Sequence, residues 1–153
     1  MSDDARFEDG IEAPLNIGAQ DEDDLKIISA LVQDAVFPAN EMRFFAGEQR
    51  FAMLVNRFRW EDGGKRAPER VQSMLHFSDV SAVSSQGIDR SDKDMILSIL
   101  SAEFEPGEAP SGHVILTLAG DGAIRLSVEA LEVTLKDVTR PYVAPSKKTP
   151  SHD

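Results

Sequence analysis

"MRFFAGEQRFAMLVNRFRW", residues 42–60, decides the fold, because from Met42 onward the hydrophobic period becomes two and β-branched and aromatic residues cluster between turn signals. "EMRFF" and "QRFAMLVNRFRW" read as the two arms of a hairpin across "AGE", with Gly47 supplying the permissive turn position. Continuing this reading gives "RVQSMLHF" and "VSAVSSQGI", split near "SD", and then "DMILSILSAEFEP". "HVILTLAG" and "AIRLSVEALEVTLKDV" follow as one hairpin about "GDG" at 120–122. Seven or eight strands result. Their connections are too short for parallel crossovers, so the sheet is expected to be antiparallel.

Upstream, the period is helical. In "DEDDLKIISALVQDAVFP", Leu25, Ile28, Leu31, Val32, Ala35 and Val36 share one side, while Lys26, Gln33 and Asp34 take the other. Asp21 is the expected cap, the acids of the first turn suit the helix dipole, and Pro38 forbids continuation, which places the helix from about Asp21 to Val36. "EAPLNIGAQ" before it reads as a short strand or extended lead-in. The expected class is α+β: a mostly antiparallel sheet or partly open barrel, closed on one side by a single N-terminal amphipathic helix.

An internal echo runs through the β region. "MLVNRFRWED", a loop and "MLHFSDVSAV" can be laid against "ILSAEFEPGE", a loop and "IRLSVEALEV", matching Phe58 with Phe104, Leu75 with Leu126, Phe77 with Val128 and Val80 with Leu131. A duplicated β unit would produce this pattern, and so would two unrelated hairpins with alternating core residues.

With 153 residues, 41% hydrophobic and 28% charged, the chain is of single-domain size and ordinary globular composition. The expected organisation is one domain over 1–145 with an acidic lead at 1–20, then a flexible proline-containing tail at 146–153. The absence of cysteine excludes disulfides, thiolate zinc sites and a cysteine nucleophile. No basic and apolar leader and no membrane-length apolar run is present, so a cytoplasmic location is expected. The net charge of −11 is concentrated: residues 1–24 hold nine acids against Arg6 alone. Residues 43–70 carry seven bases against four acids, so a local basic face is expected on an acidic molecule. That charge balance disfavours nucleic acid, and "RFAMLV" departs from the RNA-binding strand pattern.

Motifs with chemistry are scarce. "DGGK" at 62–65 and "GDG" lack the spacing of phosphate-binding loops. "SSQGIDRSDKD", residues 84–94, fails as a calcium loop because Ile96 and Leu97 occupy the fifth and sixth positions counted from Asp92. It reads as a solvated connection, with a weak cation or partner site at Asp89, Asp92 and Asp94 as the alternative. No serine near His76 sits in a nucleophile elbow, and no histidine pair has metal-ligand spacing, so no catalytic residue, metal or cofactor is assigned. "VNRFRW" is less ordinary. Arg57 and Arg59 face the same way as Val55, about 7 Å apart along a strand, and Arg43 joins them across the hairpin as a candidate anion grip. The competing reading pairs these arginines with Glu41, Glu48, Glu61 or the acidic lead.

Taken together, "ALVQDAVFPA", "MLVNRFRWED", "SSQGIDRSDKD", "FEPG", "AGDGAIRL", "VEALEVTLKDVTRPYVAPS" and the closing "SHD" resemble a bacterial family catalogued as domain of unknown function number 2948. The resemblance spans nearly the whole chain and implies no activity, catalytic residue or ligand. The function expected from the residues is a non-enzymatic interaction module for another protein or a second copy of itself. The alternative is a binding domain or minor enzyme for a small phosphate or carboxylate, with Arg43, Arg57 and Arg59 as the grip and His76 or Asp79 as proton carrier.

Overall fold

In the computed structural model, residues 14–59, 69–89, 91–140 and 142–143 are described. The acidic lead before Pro14, the tail from Ala144, and the 60–68 connection with Trp60 fall outside that range. The fold is α+β; the described residues form eleven strands and one α-helix in the order β1 (Asn16–Ala19), α1 (Glu22–Leu31), β2 (Val36–Pro38), β3 (Met42–Phe45), β4 (Arg50–Phe58), β5 (Glu69–Phe77), β6 (Val80–Gln86), β7 (Ile96–Pro106), β8 (Gly112–Leu118), β9 (Ala123–Val128), β10 (Val133–Asp137) and β11 (Tyr142–Val143).

Every ladder is antiparallel, and the strands form an open row, β1-β10-β5-β4-β2-β7-β8-β9-β6, with β3 added to β4 and β11 to β5. The row does not close into a barrel. One corner bends it. β5 and β6 are a single run bent at Ser78–Asp79, where Asp79 takes φ 56°, and β9 and β10 are a second run bent at 129–132. The two runs stay partnered on both sides of the bend, Val80 opposite Val128 and Phe77 opposite Val133. The Ser78 amide donates to Glu132 O and the Glu129 amide to Asp79 O, so the backbone groups at the corner are satisfied. The alternating faces of both half-sheets thereby meet in one hydrophobic core that includes Phe51, Met53, Val55, Leu75, Phe77, Ile99, Leu116, Leu126 and Leu135.

The helix starts as the sequence requires. The Asp21 carboxylate accepts from the Asp24 amide at 2.8 Å, and Leu25 and Ile28 are buried. Its Ser29 hydroxyl oxygen accepts from the Ala102 amide, so the helix docks along β7 where β2 has ended. It stops at Leu31, five residues before Val36. Asp34 turns left-handed at φ 65°, its amide donates to Ile99 O, and Val36 leaves to pair with β4 and β7. Pairing into the sheet outweighs the helical periodicity of Ala35 and Val36.

Two further local corrections follow from the backbone. In the β3–β4 hairpin the left-handed residue is Gln49 at φ 55°, after a 3-10 turn over Ala46–Glu48, so Gly47 is not the position that needs glycine's freedom. "AIRLSVEALEVTLKDV" is two strands in different parts of the sheet, since the buried set slips from Ile124, Leu126 and Val128 to Leu131, Val133 and Leu135. A one-residue slip of phase moves a strand's apolar set to its other face unless the chain bends. The internal echo does not extend to strand order: β4 pairs directly with β5, whereas β8 stands between β7 and β9. "GDG" does join β8 to β9, with Gly120 and Asp121 at positive φ.

Candidate functional site

The three arginines of the expected grip do not converge. Arg57 does face with Val55, but that face is the core, and Arg57 is fully buried. Its Nη2 donates to both carboxylate oxygens of Asp137, at 2.9 and 3.1 Å, and its Nε reaches Ser73 Oγ and Asp137 Oδ1. Ser73 Oγ donates to Asp137 Oδ1 at 2.6 Å, and the Leu15 amide donates to Oδ2. Arg57 Nη1 donates to Phe58 O. This arrangement ties β4, β5, β10 and the lead into β1 by charge-assisted hydrogen bonds in a region of low dielectric. Arg59 is also buried and donates to Glu69 Oε1 at 3.0 Å. Among the described residues their carboxylate partners are Asp137 and Glu69; Glu61 and the acidic lead lie outside the described residues.

Arg43 lies on the opposite side of the sheet. It faces Ala52 across the hairpin, and Ala52 alternates with the core residues Phe51 and Met53. Arg43 is exposed, and it lines a cleft of about 460 Å³ that brings together segments far apart in sequence. One wall is Met42 and Phe44 of β3, the other Val83 and Ser85 of β6, and the floor reaches the buried Phe51 and Ile124. The rim carries Asn40, Arg43, Asp89, Asp92 and Lys93, so both signs of charge stand at the mouth. Ile88 and Ala39 complete the lining.

The walls are sheet edges. Among the described residues β3 pairs with β4 and β6 with β9, and the opposite edge of each faces the cleft without a strand partner. The slot is tied at both ends. The Val80 amide donates to Gln49 O at one, and the Asn40 and Ala39 amides donate to Lys93 O and Met95 O at the other. β6 is seven residues long, "VSAVSSQ", with neither a charge nor a proline to guard it.

The acidic loop is thus half connection and half rim. Asp89 accepts from both the amide and the hydroxyl of Ser91, and these two bonds hold its carboxyl below the usual carboxylate range. Asp89 and Asp92 line the cleft, while Asp94 does not join them there. Among the described residues no three His, Asp or Glu side chains are placed to share a metal ion. His76 sits half-buried on the outer face of β5, where desolvation first and then the Arg50 charge lower its pKa against the opposing pull of Glu132. Asp79 lies at the corner, where its carbonyl serves the Glu129 amide. Among the described residues no helix is long and apolar enough to cross a membrane.

The family model described as "Protein of unknown function (DUF2948)" matches residues 15–152, which spans the cleft, the buried ion pair and the corner. The chain belongs to that family. No curated protein and no solved structure matches this DUF2948 chain. Sequence reading missed the cleft because its walls come from residues 39–44 and 83–93, which become neighbours only through the sheet's bend; the uncharged edge "VSAVSSQ" was the available signal.

Proposed function

We propose that this DUF2948 protein is an interaction module whose seat is the slot between β3 and β6, and whose occupant is a segment of another protein. A large apolar side chain of that segment drops between Met42, Phe44, Val83 and Ile88, and its flanking backbone meets the edge groups of the two strands. The observation that supports this reading is the coincidence of a slot whose floor is the core itself with two sheet edges that pair with no described strand. An aromatic or leucine side chain seated there continues the packing of Phe51 and Ile124, as an interface anchor does. The slot's walls are edge strands, and strand edges recognise other backbones, which favours a polypeptide occupant over an apolar small molecule. Arg43 and Lys93 against Asp89 and Asp92 then select the charges beside the anchor.

Selection of a displayed random-peptide library on the full chain tests this. Enriched peptides should share one large apolar residue, and their binding should perturb backbone resonances of β3, β6 and residues 87–93. Val83→Asp, checked for unchanged cooperative unfolding, should abolish binding. Peptides that map to another surface, or that bind Val83→Asp equally well, overturn the reading. A dimer held by β6 against β6 of a second copy would replace the foreign segment with a self-partner, and sedimentation at rising concentration separates that outcome.

A further inference from the structure

The outer face of the β3–β4–β5 ladder carries a second cluster, which shares Arg43 with the slot's rim. Arg43, Ala52 and His76 stand in one register row on three adjacent strands, Arg43 opposite Ala52 and Ala52 opposite His76. Arg50 lies two residues before Ala52 on the same face, opposite Phe45. The two guanidiniums converge on that ring, with Arg43 Cζ 5.9 Å and Arg50 Cζ 5.5 Å from its centroid. Ala52 ends at its Cβ, so only a methyl group stands between Arg43 and His76 in that row. Adjacent strands are about 4.8 Å apart, which puts Arg43 and His76 about 10 Å apart at the backbone, a span that two side chains close around one small anion.

We infer that this cluster is a binding site for a phosphate monoester, seated over Ala52 and held by Arg43, Arg50 and His76. Donors approach it from three strands. A tetrahedral dianion offers acceptors in all those directions, whereas a carboxylate offers two oxygens in one plane. Phe45 already orients both guanidiniums, so less side-chain freedom is lost when the anion arrives. Two carboxylates oppose it. Glu48 pairs with Arg50, and Glu132 lies near His76. The Glu48–Arg50 pair is solvent-exposed, and such pairs contribute little and exchange readily, so a dianion displaces Glu48. Imidazole protonation strengthens the grip, and bound phosphate in turn favours the protonated ring.

The test is a titration of the full chain with inorganic phosphate, following the His76 ring and the Ala52 and Phe45 amides by NMR, with chloride at matched ionic strength as the control. Saturable shifts at these three residues and a rise in the His76 pKa are expected. Arg43→Gln with Arg50→Gln should weaken phosphate at least tenfold, while Lys26→Gln leaves it unchanged. Glycerol 3-phosphate and a phosphoserine peptide form the other arms: tighter binding of the first assigns a phosphorylated metabolite, tighter binding of the second a phosphorylated partner. Chloride-like behaviour of phosphate, or equal binding by the double variant, overturns the site.

Discussion

Arg57 and Asp137, 80 residues apart in the chain, form a bidentate ion pair with no solvent exposure at the arginine. Ser73, the Leu15 amide and the Phe58 carbonyl supply further bonds around it, so both charges are compensated inside the fold. Removing one partner alone strands a charge out of water. Arg57→Met or Asp137→Leu should each lower stability by about 3–5 kcal/mol, whereas the double variant should recover most of that loss. Urea unfolding of the four proteins measures it, and additive losses in the double variant would show that the pair is not the linking element.

The strands from β3 to β8, the antiparallel pairing, the helix start and the β8–β9 turn were legible because each rests on local periodicity or a cap, whereas β2, β11 and the break between β9 and β10 raise the seven or eight expected strands to eleven among the described residues. The ion pair left a fainter trace. In β4 the buried alternation Phe51, Met53, Val55 leads to Arg57, and in β10 the alternation Val133, Leu135, continued from Leu131 before it, leads in phase to Asp137. Two core faces that each lead to an opposite charge are a pairing signal, but only once β5 is known to lie between them. The helix was overextended because Ala35 and Val36 fit both periods, and the ladder with β7 decided between them. Arg43 alone of the expected grip reaches a surface site, since a strand's two faces part neighbours such as Arg43 and Arg57 when only one face is core.

Glycine substitutions separate real constraint from apparent turn signals. A Cβ on Gly47 meets nothing within 4 Å and its φ is ordinary, so Gly47→Ala should be neutral or stabilise by up to about 1 kcal/mol. A Cβ on Gly112 would lie 2.5 Å from Glu105 O and 2.6 Å from the Phe104 ring, so Gly112→Ala should destabilise by about 1–3 kcal/mol. Thermal unfolding of both variants reads the contrast, and a reversed order would contradict the close β7–β8 approach.

The pH dependence of stability should carry a histidine component. The folded-state pKa of His76 lies below its ordinary 6.5, so between the two values the unfolded chain binds more protons. The stability that depends on neutral His76 is complete above 6.5 and is lost as pH falls through that window. Chemical denaturation between pH 5 and 8 should show the wild type losing stability relative to His76→Gln on acidification. Parallel profiles would remove His76 from the account. Arg50→Gln should raise the His76 pKa, because it removes one of the two influences that lower it.

The slot between β3 and β6 is tested most directly with N-acetyl-phenylalanine amide, a probe that carries one aromatic side chain and a peptide group on either side. Methyl-resolved NMR of the full chain should show saturable millimolar shifts at Met42, Val83, Ile88 and Ile124, with none at Leu135 in the core beneath the other half-sheet. Val83→Asp should erase them. Shifts scattered over the surface, or absent at all four residues while the fold is intact, would contradict the claim that these two edges hold a partner's side chain.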